Sequence, residues 1–541
     1  MGRRLDDVEV DSTTLSAWSF HLGRPVDDPG DLRRRLGEGT LPQAFEATAK
    51  RMGSKRALTL PDGSITHAEL DLSAGRMARE LAHLGAGPGA AVLIVADTSL
   101  RSVIAYLGAL RTGATAVLAN PTYTAAELAN LGSESEALIA VGSGEYLESL
   151  ARARLSTAEL VGLHRDDRST ASVMLADLGG DPAPVVGVDP DSAALYAFTS
   201  ATTGRAKCVP LSHRNLLASI RGVMWGWRWT ASDVLVHTLP IAHQHGLGGV
   251  HATLLAGSRA VLLGRLDSAE LLATVESGEP TVLFGVPTMY RKLVDDLGER
   301  MRAFRRLRLM TCGSAALSEK LAGRVAELVE VMPLERYGST EAGLNVSNPY
   351  EGHRISGTVG LPLPGIEVAV ADSEGRRLDP DEAGEVLVRG PQVFGGYRGV
   401  SAPEEPAFRF DWFRTGDIGL LEGKSGYLRL VGRIRDVIIT GGLNVYPKEV
   451  EAAIAGAPGV TDVAVIGVPS DRWGEEVTAF VVAPHGSTAE VMETAERSLA
   501  PFKRPKRLIF VDRIPRSDLG KVNRDQLAEL DPIRHGPGRG I

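Results

Sequence analysis

Two periodicities take turns along this chain. Between about Leu41 and Gly180, "LPQAFEATAKRM" and "AELDLSAGRMARELAHLG" carry apolar residues at helical spacing, whereas "AAVLIVA" and "EALIAVG" read as strands. The alternation resumes in "DVLVHTLP", "AVLLG", "PTVLFGVP" and "LRLMTCGSA". Helix and strand in alternation is the pattern of layered α/β domains with parallel sheet. Whether this is one large α/β region or two similar ones stays open at this level.

After about Gly357 the texture becomes β-rich with frequent turns, in "IEVAVADSEGRRL", "GEVLVRG" and "GYLRLVGR". From "DVIITGGLNVYPKEVEAAI" onward helix and strand alternate on a smaller scale, and "VGRIRD", Val431 to Asp436, reads as a hinge. The expected fold class is therefore α/β. A large N-terminal domain, 1–433, has layered sheets and a β-rich subdomain, and a small α+β domain, 434–541, follows. A length of 541 residues agrees with more than one core.

Composition narrows the partners. The formal net charge is −8 with no long basic block, which argues against nucleic acid. The short run Arg33 to Arg35 reads as a solvated helix face. The most apolar long stretch, "AAVLIVADTSLRSVIAYLGAL", is broken by Asp97 and Arg101 and reads as strand, turn and helix, not as a membrane span. Cys208 and Cys312 have no metal or disulfide spacing, and "MGRRLDDVEVD" lacks the apolar core of a signal peptide. A reducing, cytoplasmic setting is expected.

The segment "TSATTGRAKCV", Thr199 to Val209, follows the strand-like run "AALYAFT". Alone, such a Ser/Thr/Gly cluster is an ordinary turn. After a strand, it presents backbone N–H groups, hydroxyls and one ammonium to a single point, which suits a polyphosphate. It is not a Walker A loop, because Lys207 follows Ala206 and precedes Cys208.

Four further segments stand downstream: "ERYGSTEAG", "WFRTGDIG", "GRIRDVIITGGLNVYPKEVE" and "PRSDLGKVNRDQL". With these five motifs, in this order, the chain resembles the ANL superfamily of adenylate-forming enzymes over nearly its whole length after about residue 40. The resemblance implies attack of a carboxylate on the α-phosphate of ATP, giving an acyl-adenylate and pyrophosphate, with CoA as the expected acceptor. A carboxylic acid with a pKa of about 4 is already ionised at neutral pH, so this step needs charge neutralisation rather than a base.

By resemblance, Lys521 bridges the incoming carboxylate and the α-phosphate, Glu341 holds Mg²⁺ and Thr340 supports the phosphates. Thr199, Ser200, Thr202, Thr203, Gly204 and Lys207 grip the β- and γ-phosphates. Tyr337 and Gly338 belong to the nucleotide pocket, Gly313 and Ser314 lie along the adenine, Asp417 accepts from the ribose hydroxyls and Arg433 donates to the same sugar. Arg435 falls at the hinge about which a mobile C-terminal domain rotates, bringing Gly441 to Asn444 toward the acceptor channel. Family members usually carry Asp or Lys there.

Departures limit the substrate. Ala201, Ala206 and Cys208 replace two glycines and a proline of the usual phosphate loop. "LPIAHQHGLGG" and "FGVPTMYRKL" resemble segments of malonyl-CoA synthetases, which implies that His243 and His245 line the acid pocket and that Lys292, or Arg291, pairs a distal carboxylate. Ser339 stands where that subfamily tends to carry Met, and Ala242 where an aromatic is usual. The leading expectation is an acid–CoA ligase for a small dicarboxylate or aryl acid. The alternatives are a diazotase that activates nitrite for an aryl amine without CoA, a non-catalytic nucleotide binder, and a ligase serving a carrier protein in trans.

Overall fold

A computed structural model describes residues 5, 9–95, 97–153, 155, 158–163, 173–174, 178–199, 207–399, 406–423, 425–440, 443–470, 472–484, 488–516 and 520–531. The long α/β alternation resolves into two sheets. One has seven strands, with Ala91–Val95 central and Ala193–Thr199 then Lys207–Ser212 at one end. Its pairings are parallel except the last. The other has nine strands, six of them a parallel block: Leu334–Ser339, Leu309–Cys312, Val282–Gly285, Val234–His237, Arg259–Leu262 and Arg56–Leu60.

Strand alternation builds the layers. In Val234–His237, Leu235 enters the large core shared with the first sheet, whereas its neighbour Val236 enters a second core under the helices Ser268–Glu276, Pro287–Leu297 and Glu319–Val329. In Ala91–Val95, Ile94 faces the shared core and Leu93 the outer one. Near-continuous apolar strands are what a sheet covered on both faces requires. The helices between the sheets start on strong caps. Ser212 and Asn215 form a capping box at His213–Gly226, and Asn215 also donates to the carbonyls of Pro391 and Val393.

The β-rich region forms a five-stranded antiparallel sheet built from Glu367–Ala371, Gly384–Arg389, Phe408–Arg409, Trp412–Leu421 and Leu428–Arg433. A single 3₁₀ turn, Ile434–Asp436, leads from it to a separate five-stranded sheet and the helices Pro447–Ala455, Thr488–Ser498 and Arg524–Glu529. Thus the large N-terminal α/β domain, the β-rich subdomain and the smaller C-terminal α/β unit are all present. Among the described residues, no helix is long and apolar enough to cross a membrane.

Leu5 and the helix Ser12–Leu22 tie the β-rich sheet to the main body. Trp18, fully buried in the helix Ser12–Leu22, donates its indole N–H to Ile366 O at 2.8 Å, and Trp412 donates to Leu5 O at 2.8 Å. The expectation for Arg33 to Arg35 needs correction at its first member. Arg33 ion-pairs with buried Glu367, donates to Gly365 O and stacks over Trp18, because the helix Pro29–Leu36 turns that residue inward while Arg34 and Arg35 face water.

Candidate active site

Binding residues in open α/β sheets gather at the carboxyl ends of parallel strands. Here four adjacent strands deliver them. His243 and His245 follow Val234–His237, the helix Pro287–Leu297 follows Val282–Gly285, Gly313 and Ser314 follow Leu309–Cys312, and Ser339, Thr340 and Glu341 end or follow Leu334–Ser339. Gly338 has no alternative at its position, since a Cβ there would lie 2.1 Å from Gly343 O across the bulged hairpin.

One end of the cleft suits a sugar. Asp417 and Arg433 are direct partners on neighbouring antiparallel strands, with Arg433 Nε 2.9 Å from Asp417 Oδ1. Tyr337 donates its hydroxyl to Asp417 Oδ2 at 2.6 Å, and burial together with that carboxylate raises the phenol's pKa far enough to keep it a donor. The other end suits phosphates. Thr199 and Lys207 are cross-strand partners at the mouth of the "TSATTGRAKCV" loop, and Glu341 lies nearby, joined to Lys207 through Tyr397. Gln244 donates to Thr340 O at 2.8 Å and the Phe394 N–H to Glu341 O at 2.8 Å, which fixes the Thr340–Glu341 turn. Ser200, Thr202, Thr203 and Gly204, like Gly441 in the hinge segment, lie outside the described residues.

Lys521 is close enough to both ends to feel their charges. Solvent reaches its side chain, yet its pKa is lowered, first by lost hydration and then by Arg433, while Asp417 and Glu341 pull the other way. One ammonium therefore feels the sugar end and the phosphate end together. Its turn is seated on the N-terminal domain, since a Cβ on Gly520 would meet the Thr288 side chain at 2.9 Å.

Beside His245 and Gly313 lies a residue that the sequence reading passed over. Arg336, on the same strand as Tyr337 but facing the other way, is buried against Gly313, where a Cβ would be 2.5 Å from the guanidinium carbon. Among the described residues, Arg336 Nε and Nη2, His245 Nε2, His237 Nε2 and Ser339 Oγ are buried with no hydrogen-bond partner. Burial pulls the Arg336 pKa down to about 10, so it stays cationic at neutral pH. Burial, then Arg336, holds His245 well below the usual imidazole range, so it is neutral. Ser314 and His245 lie 3.4 Å apart, and His243 lies 3.4 Å from Asn120.

The structure does not bring Lys292 into this cluster. It turns outward, half-exposed, and pairs with Asp296 at 2.8 Å. Arg291 donates instead to Thr461 O of the C-terminal unit. Arg435 is also half-exposed, 3.9 Å from Asp436, which in turn pairs with Arg524 at 3.1 Å. Both cysteines are buried and free, and burial pushes the Cys208 thiol up to about 11 and the Cys312 thiol well above its ordinary value, so neither is a nucleophile.

A single carboxylate beside phosphate-binding groups suits Mg²⁺, which keeps waters and takes most of its remaining ligands from substrate phosphates. Among the described residues there is no cluster of three or more His, Cys, Asp or Glu able to hold a metal by themselves.

A layered α/β body whose parallel strands deliver these side chains, an Asp417–Arg433 pair and a lysine carried on a separate small unit make up the framework that the comparisons match. The model of the AMP-binding enzyme family matches residues 45–398, and that of the AMP-binding enzyme C-terminal domain matches residues 449–521. The chain is 33% identical over 510 residues to an oxalate–CoA ligase of Arabidopsis thaliana, covering 91% of this chain and 99% of the relative. It is 32% identical to the mitochondrial malonate–CoA ligase of Homo sapiens, covering 93% and 95%. A crystal structure of ATP-bound MatB from Rhodopseudomonas palustris superposes with a TM-score of 0.82 at 36% identity, covering 90% of this chain and 98% of that one. The chain belongs to the AMP-binding enzyme family and is an AMP-forming ligase of the ANL superfamily.

Proposed function

We propose that this enzyme activates a short dicarboxylic acid as its adenylate and transfers the acyl group to CoA. The observation that carries the substrate class is the buried group around Arg336, in which, among the described residues, Arg336 Nε and Nη2, His245 Nε2, His237 Nε2 and Ser339 Oγ have no hydrogen-bond partner. Buried polar groups are costly unless satisfied. A second carboxylate on the substrate supplies acceptors for the Arg336 guanidinium. Nitrite has no second anionic group to place there, and a non-catalytic role leaves the gathering of Lys521, Glu341, Asp417 and Arg433 without a use. The relatives named for oxalate and malonate ligation to CoA support the same class.

In this reading Asp417 and Arg433 hold the ribose, and Lys207 with the loop hydroxyls holds the β- and γ-phosphates. Mg²⁺, held by Glu341, neutralises phosphate charge when bound. The reacting carboxylate is already an anion, and Lys521 draws it and the α-phosphate together. Its ammonium stabilises the charge that builds on the phosphorus oxygens as the new O–P bond forms and pyrophosphate leaves. The division at 433/434 lets the second domain, 434–541, turn about Arg435 and withdraw Lys521, so that the thiolate of CoA can attack the acyl carbon and release AMP. Buried, inert thiols suit a reducing cytoplasm.

The test is pyrophosphate release with ATP and Mg²⁺ against oxalate, malonate, methylmalonate, succinate, benzoate and nitrite, each with and without CoA. CoA-stimulated turnover with a short dicarboxylate is expected. Preference for benzoate, or CoA-independent turnover with nitrite and an aryl amine, would overturn the assignment.

A further inference from the structure

Lys207, at the start of the strand Lys207–Ser212, and Glu341, in the turn after Leu334–Ser339, carry opposite charges and approach the same tyrosine. Left to themselves, such a pair would neutralise one another. Each instead addresses Tyr397. The Lys207 ammonium sits 5.0 Å from the centre of the Tyr397 ring, and the Tyr397 hydroxyl donates to Glu341 Oε1 at 3.0 Å. The tyrosine is itself braced. Phe394 packs edge-on against it at 4.9 Å and donates its own N–H to Glu341 O. The next residue, Arg398, bridges to Cys208 through its backbone N–H at 3.0 Å, and its side chain reaches Ser135 O at 3.0 Å and Glu136 at 2.6 Å. The segment Phe394 to Arg398 thus crosses from the β-rich side to the strand Lys207–Ser212 and carries one phenol into the gap.

We propose that Tyr397 is a positioning residue that keeps Lys207 and Glu341 apart. The ring face holds the ammonium ready for a phosphate, and the hydroxyl occupies one carboxylate oxygen so that Oε2 is the one left for a cation. This rests on the reading that Lys207 and Glu341 serve MgATP. The ring and the hydroxyl do separable work, because Tyr397→Phe removes only the hydrogen bond and Tyr397→Leu removes both interactions.

The experiment uses the full chain and compares Tyr397→Phe and Tyr397→Leu with Lys207→Ala and Glu341→Gln. ATP affinity without metal is read by calorimetry in EDTA, and Mn²⁺ uptake by the enzyme–ATP complex is read by electron paramagnetic resonance. Tyr397→Phe should hold metal-free ATP affinity near that of the wild type and weaken Mn²⁺ uptake about tenfold, in keeping with a lost hydrogen bond to a charged group. Tyr397→Leu should in addition weaken metal-free ATP binding about two- to fivefold, as expected for a lost cation–π contact. If Lys207→Ala and Glu341→Gln are impaired while both tyrosine variants bind as the wild type does, the proposal fails and the site reading stands. Equal damage to both readouts in Tyr397→Phe also overturns it. Wild-type binding in the two control variants would instead sink the underlying reading.

Discussion

A guanidinium buried beside a neutral imidazole, as Arg336 is beside His245, has given up hydration that its protein surroundings do not return in full. Arg336→Met should lower kcat/KM for a dicarboxylate about 10²- to 10³-fold, consistent with about 2–5 kcal/mol for losing one partner of a desolvated charge pair. The same change should leave the melting temperature unchanged or raise it, since an unpaired buried charge is removed. In the proposed mechanism Lys521 acts on the reaction and not on the fold. Lys521→Ala should cost about 10²- to 10³-fold in pyrophosphate release, with an unaltered thermal melt. Its pKa lies below the ordinary 10.5, so the protonated, active form is present at low pH and is lost as pH rises through that lowered value. Adenylation should therefore show an alkaline limb below 10.5, and Lys521→Arg should move it beyond the accessible range.

One strand, Leu334–Ser339, places three consecutive ionisable groups in three environments. Tyr337 faces Asp417, Arg336 faces Gly313 and His245, and Glu335 lies in a buried site where the backbone N–H groups of Leu317 and Gly357 are its partners. Burial pushes the Glu335 pKa up to about 7, above its unfolded value of 4.5. The folded state therefore holds an extra proton between these values, and stability contributed by this group falls as pH rises from 4.5 to about 7. Thermal melts across that window should show a loss of up to about 3 kcal/mol that Glu335→Gln does not share. The strand also shows what was legible beforehand. The helices and strands of the main body could be read because apolar spacing records burial locally, as in "AAVLIVA" and the strand Ala91–Val95. Arg336 was missed although "LERYG" puts two charges in the middle of a buried strand, a signal of function that was available. Lys292 drew attention by resemblance, yet its i,i+4 partner Asp296 already marked an outward-facing helix pair. That Trp18 would meet Ile366, and Arg33 meet Glu367, had no local signature at all, because those partners lie more than 300 residues away.

At the scale of the whole molecule, two joints of unequal stiffness matter. The N-terminal segment clamps the β-rich sheet through fully buried Trp18, and Trp18→Ala should cost about 3–5 kcal/mol of stability, read as a large drop in the thermal midpoint. The joint at Ile434–Asp436 is a single turn in which Ile434 and Arg435 are exposed and Arg435 lies 3.9 Å from Asp436. Arg435→Pro should slow thioester formation while single-turnover pyrophosphate release stays near the wild-type rate, a split visible by rapid quench. The partnerless groups around Arg336 have a further consequence for the enzyme in bulk. An acid that satisfies them binds only the folded chain, so it must raise the melting temperature, by about 2.7 kcal/mol of stabilisation at a hundredfold excess over Kd. Heat alone, applied to a shelf of candidate acids with no ATP and no CoA in the tube, can thus sort out which of them this protein was shaped to hold.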